Sequence, residues 1–274
     1  MDLNTITEVA RPKARNEMTA WRTGDAWLGG GTWLFSEPQP RLRRLIDLST
    51  LGWEPLRVST DGLEIAATCT IAQLDALTPP AGWVAAPLIN QCCRAFLASF
   101  KIWNTATVGG NICMSLPAGP MISLTAALDG VATLWAADGS ERRVAVADFV
   151  TGPQRNVLQP GELMRSISLP AAALIRRIAF RQISLSTYGR SGALVIGTLA
   201  LDGGFTLTVT AATPRPVKFI FDALPSADAL QARIEADIPP NAYYDDIHGL
   251  PAWRRHMTLY FAQEIRDELS GAAR

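Results

Sequence analysis

Apolar positions along the chain fall into two patterns. Short runs bounded by turn residues read as strands: Ala26 to Leu28 ahead of three glycines, Arg44 to Leu48 (RLIDL), and Gly62 to Ala67 (GLEIAA) after an Asp-Gly turn. Stretches with apolar residues three and four apart read as helices. Thr70 has the side chain of an N-cap for IAQLDAL, which ends at the Pro79-Pro80 pair. The stretch PLINQCCRAFLASF, from Pro87 to Phe100, is expected to be one helix with Leu88, Cys92, Ala95, Phe96 and Ser99 on one face and Pro87 in its first turn.

Further along, KIWNTATVGGNICMSLPAGP reads as a second glycine loop, and MISLTAALDG as a short helix stopped by Gly130. VATLWAADGSERRVAV is a hairpin turning at Asp138-Gly139, and Glu162 to Leu169 alternates like a half-buried strand ended by Pro170. Ala171 to Ala173 is a small-residue joint, and a domain boundary is placed there. Beyond it come the strands RIAFRQISL and ALVIGTLALDGGFTLTVTAA, the latter turning at Asp202-Gly203-Gly204, then amphipathic helices around Ala227 to Ala236 and Ala252 to Leu269. Arg254, Arg255 and His256 read as a solvated helix face, and Asp245-Asp246 as a cap or turn.

Composition narrows the function. Of 274 residues, 48% are hydrophobic and 18% charged, with 25 basic against 25 acidic side chains, so nothing favours nucleic acid or an anionic membrane surface. No apolar run reaches the length of a membrane helix and the opening stretch lacks a signal-peptide core, which predicts a cytoplasmic protein. The four cysteines, Cys69, Cys92, Cys93 and Cys113, have no metal or cluster spacing and are expected to be free thiols. With two histidines, His248 and His256, a metal centre or nucleophilic triad is disfavoured; no catalytic residue is assigned, and an organic cofactor is expected to carry any chemistry.

The glycine-dense stretches are where such a cofactor would sit. LGGGTWL follows a strand without the order of a dinucleotide turn or the lysine of a P-loop, and TVGGNIC also matches neither. Successive exposed N–H groups nevertheless suit a phosphate, and missing Cβ atoms permit close approach. Glycine's commoner use, a tight turn with no ligand, is the alternative.

LGGGTWLF resembles the (A/G)GGT(D/N)LL loop of the FAD-binding subunits of the molybdenum hydroxylases, the group of xanthine dehydrogenase and carbon monoxide dehydrogenase. RLIDLSTL resembles that family's LIDL strand, GLEIAATCTIAQLDA its next element, and NTATVGGNICMSLPAGP its second loop. ALDGVATLWAADGSERRVAVADFVTG and LQPGELMRSISLP continue the match in order to Pro170, and TPRPV and WRRHM extend it more weakly. Trp33 stands where the family carries an acidic or amide residue. Leu116 and Pro120 stand where it carries Ser and Asp, leaving Ser115 or Ser123 to offer a hydroxyl.

The resemblance implies an α+β fold: a two-lobed FAD-binding domain of the vanillyl-alcohol-oxidase (PCMH) type over residues 1–170, with lobes of approximately 1–57 and 58–170. A C-terminal α+β domain over 171–274, an antiparallel sheet with helices, completes it. By the same carry-over, Leu28, Gly29, Gly30, Gly31, Thr32, Trp33 and Leu34 meet the FAD diphosphate, and Thr107, Gly109, Gly110, Asn111 and Ser115 line the flavin side. Thr32 and Asn111 are the expected side-chain donors. The implied role is electron transfer within a hetero-oligomer, from a small subunit with two two-iron, two-sulfur clusters beside a large molybdopterin subunit, to NAD, oxygen or quinone. A flavin-free scaffold of the same fold and a self-sufficient flavin oxidase stay open.

Overall fold

The computed structural model describes residues 3–18 and 20–271. A small parallel sheet opens the chain, with β3 (Arg44–Asp47) between β1 (Glu8–Ala10) and β2 (Asp25–Leu28). Its core charge is the Arg44–Asp25 pair, Nε to Oδ1 at 2.9 Å, where the guanidinium holds the Asp25 carboxyl below its ordinary range.

The second sheet is antiparallel. Its order is β4 (Leu56–Ser59), β5 (Gly62–Ala66), β10 (Leu163–Pro170), β6 (Val131–Trp135) and β7 (Glu141–Ala145). Between β5 and β6 run five helices: α1 (Ile71–Asp75), α2 (Pro87–Ala95), α3 (Phe100–Trp103), α4 (Val108–Met114) and α5 (Pro120–Ala127). Thr70 and Gln73 close a capping box on α1, as the sequence indicates. After β7 come α6 (Val146–Phe149) and the two-stranded pair β8 (Val150–Gly152) and β9 (Arg155–Asn156).

Two expectations change here. The helix read over residues 87–100 ends at Ala95, so Phe96 and Ser99 lie beyond it, and Ser99 is exposed. Trp103 reaches back so that its indole Nε1 donates to the Phe96 carbonyl at 3.0 Å, giving the broken chain a partner and α3 a separate start. The glycine-bearing centre of the second loop is helix α4, which Thr107 caps by accepting the Gly110 N–H at 3.0 Å.

One helical turn, α7 (Ala171–Leu174), leads into an antiparallel meander of β11 (Arg177–Ile183), β12 (Ala193–Leu199), β13 (Phe205–Thr210) and β14 (Val217–Phe221). Strand β12 is buried on both faces, which explains its near-continuous apolar run. Leu194 and Ile196 join the core built by residues 63–174, while Ala193 and Val195 face α8 (Ala227–Asp237) and α9 (Pro251–Ser270). A Cβ on Gly197 would stand 2.2 Å from Ile265 Cγ2, so α9 sits this close to β12 only because Gly197 has none. Among the described residues no helix is long and apolar enough to cross a membrane, and no group of His, Cys, Asp or Glu could hold a metal ion.

Candidate functional site

The chain entering from β2 turns through Gly29, Gly30 and Gly31 directly onto the segment that leads into α4. A Cβ on Gly30 would lie 1.7 Å from the Thr105 carbonyl oxygen, and one on Gly29 would lie 3.1 Å from Thr107 Oγ1. Gly31 has φ +70°, and its Cβ would meet the Phe35 ring at 2.5 Å. Packing and backbone geometry therefore account for the triplet. Their effect is to fuse two segments 75 residues apart in the chain into one surface, which no local pattern discloses.

That surface walls a cleft of about 670 Å³. Leu28, Gly29, Gly30, Gly31, Thr32, Trp33 and Leu34 line it, as do Thr107, Gly110 and Asn111. Gly109 and Ser115 do not. Gly109 is buried on Ala67, where a Cβ would approach within 2.5 Å, and its N–H donates to the Ala67 carbonyl at 3.0 Å. Ser115 is fully buried with φ 52°; its hydroxyl donates to the Ile112 carbonyl at 3.1 Å and accepts from Asn156 Nδ2 at 3.3 Å. Ser123, the other replacement hydroxyl, is buried 2.7 Å from Thr210 Oγ1.

The two glycine segments differ in what they leave open. In the second, the Val108, Gly109, Gly110 and Asn111 N–H groups go to Cys69 O, Ala67 O, Thr107 Oγ1 and Thr107 O. In the first, the N–H groups from Gly30 to Leu34 meet no acceptor among the described residues. A row of free amides on a concave wall attracts an anion. Asn111 Oδ1 accepts the Met121 N–H at 3.1 Å, starting α5 and leaving Nδ2 to donate. Pro120, at the first position of α5, costs that helix no hydrogen bond, and with Leu116 it presents apolar surface to the cleft.

Cys113 lines the cleft, but burial pushes its thiol up to about 12.

Another part of the lining comes from after α7, including Tyr188, Arg190, Ser191, Tyr244, Asp246, His248 and Arg254. Arg254 corrects the solvated-face reading. It is 1% exposed, with Nε on the Gly249 carbonyl at 2.9 Å, Nη1 on Gly192 O at 2.7 Å and on Ala211 O, and Nη2 on Asp246. Asp246 is indeed a turn residue, accepting the His248 N–H at 2.8 Å. Helix periodicity assigns Arg254 to a face but not to a neighbour; its burial depends on carbonyls from residues up to 62 positions away.

The family described as the FAD binding domain in molybdopterin dehydrogenase matches residues 5–172. The nicotinate dehydrogenase FAD-subunit of Eubacterium barkeri is 27% identical over 183 residues, 60% of this chain and 58% of that one. The xanthine dehydrogenase of Oryza sativa subsp. japonica is 28% identical over 121 residues, 42% of this chain and 9% of that protein. The chain thus spans less than two thirds of these relatives. Among solved structures, reconstituted CO dehydrogenase from Oligotropha carboxidovorans has a TM-score of 0.80 at 22% identity, covering 97% of each chain. Quinoline 2-oxidoreductase from Pseudomonas putida 86 gives 0.77 at 18% identity, covering 100% of this chain and 99% of that one. With a family match over more than half its length, the chain belongs to the family of FAD-binding domains of the molybdopterin dehydrogenases.

Proposed function

We propose that the cleft holds FAD, with the N–H groups of Gly30 to Leu34 on its diphosphate and Gly29, Thr32, Thr107, Gly110 and Asn111 along the same wall. The open amide row carries this reading: among the described residues, five consecutive donors without acceptors belong to residues that line the cleft, and no carboxylate comes from that part of the lining to repel a phosphate. Leu28, Trp33 and Leu34 supply apolar contact, and Gly109 and Ser115 act behind the wall, one through close packing and the other by tying α4 to β9. Bound flavin supplies chemistry in both one-electron and two-electron steps. The chain's own part is to orient it, exclude water with apolar side chains and hold it through backbone dipoles.

On this reading the subunit takes electrons from two two-iron, two-sulfur clusters of a small partner. A large molybdopterin partner oxidises the substrate, and the electrons leave to NAD, oxygen or quinone. The division into residues 1–170 and 171–274, supported by the change of sheet at α7, belongs to the same proposal, as do a split of the first part near 57 and a cytoplasmic location. The absorption spectrum of the purified chain tests it. Bands near about 370 and 450 nm are expected of a flavoprotein. A chain that stays colourless after incubation with FAD refutes it, and iron and molybdenum in the purified complex test the partners.

A further inference from the structure

The cleft's charge is distributed one-sidedly. Every Arg, Lys, Asp, Glu or His among its lining residues comes from beyond α7: Arg190, Asp246, His248 and Arg254. Asp246 and Arg254 are spent on one another, and the remaining Arg254 nitrogens on three backbone carbonyls. Arg190 differs. It is exposed on the segment between β11 and β12, and among the described residues no carboxylate or carbonyl holds its guanidinium. Next to it, Ser191 is 3% exposed; its Oγ accepts Gln182 Nε2 at 2.8 Å, which leaves the hydroxyl proton to donate.

We infer that Arg190 and Ser191 form a second phosphate subsite, on the part of the cleft lining that comes from beyond α7, for a nucleotide phosphate. Backbone amides supply dipoles but no net charge, so a diphosphate in a mostly apolar cleft keeps much of its desolvation cost unless a cation lies near. Among the described residues no carboxylate or carbonyl pairs with Arg190, and its planar fork matches phosphate oxygens. The Gln182–Ser191 bond fixes the accompanying donor. This subsite rests on the same cleft being the flavin site, and its phosphate has two sources: the flavin nucleotide itself or a dinucleotide electron acceptor beside it.

Calorimetry on the full chain separates them. FAD is titrated into apo protein, and redox-inert ADP-ribose into FAD-saturated protein, for wild type, Arg190→Gln and Arg190→Lys. Riboflavin, which lacks phosphate, is the control. The subsite requires Arg190→Gln to weaken FAD or ADP-ribose roughly tenfold at about 50 mM salt, with the deficit shrinking as salt screens it, Arg190→Lys keeping part of the affinity and riboflavin unchanged. A deficit in the first titration assigns the phosphate to flavin, and in the second to the acceptor. Equal affinities of Arg190→Gln and wild type in both, or an equal loss for riboflavin, overturn the subsite. If apo wild type takes ADP-ribose through Arg190 but never FAD, the flavin assignment fails and the subsite stands; if it takes neither, both fail.

Discussion

Replacing Gly30 with alanine tests how the cleft is built. The new Cβ would stand 1.7 Å from the Thr105 carbonyl oxygen, against 3.4 Å or more for ordinary contact, so the turn must retreat by about 1.7 Å. The obstacle is backbone, held where Ala106 and Thr107 join α1 and α4, and it has no rotamer to escape through. Overpacking of this kind costs about 1–3 kcal/mol of stability. The ligand loses more. Two amide–phosphate bonds put out of reach, at about 1.5 kcal/mol each, amount to roughly a hundredfold in FAD affinity. Gly29→Ala is the graded control, since its Cβ meets only Thr107 Oγ1 at 3.1 Å and a small shift relieves it. Flavin fluorescence quenching gives Kd and thermal melts give stability. A Gly30→Ala chain that binds FAD as tightly as Gly29→Ala would refute the claim that the first glycine segment is held in place by the second.

Other expectations concern charge and thiols. Asp25→Asn removes the carboxylate from a pair with both side chains buried and should cost about 3–5 kcal/mol in urea denaturation at pH 7. The Asp25 carboxyl is held low in the folded chain, so its contribution is present above the unfolded value of about 3.9 and lost as pH falls through the folded one; the variant should flatten that part of the acid profile. Arg254→Met should destabilise by about 3 kcal/mol, and Arg254→Lys should restore little, because one ammonium cannot span three carbonyls and Asp246. Full recovery in the lysine variant would show that charge alone matters there. Burial pushes the Cys69, Cys93 and Cys113 thiols up to about 12 and Cys92 upward as well, so a thiol reagent at pH 8 should label the native chain at least about a hundredfold more slowly than the denatured one. One fast-reacting thiol in the folded state would contradict this.

Local rules were enough for much of the fold. The Thr70 cap, the hairpin at Asp138-Gly139, the meander turn at Asp202-Gly203-Gly204 and the last two helices are each decided by neighbours a few residues apart, so the sequence carries them openly. The order of family motifs likewise pointed to a flavin subunit before any geometry. What only the tertiary structure decided involves partners distant in the chain. Thr105 meets Gly30, Trp103 ends α2, Ala67 takes the Gly109 amide, and Arg254 is drawn inside by Gly192 and Ala211. A glycine can be read as a place where backbone comes close, but not as to what. Whether an amide stays open for a ligand depends on which carbonyl the rest of the fold brings to it, and that choice separates the first glycine segment, with its free donors, from the second, whose donors are already taken.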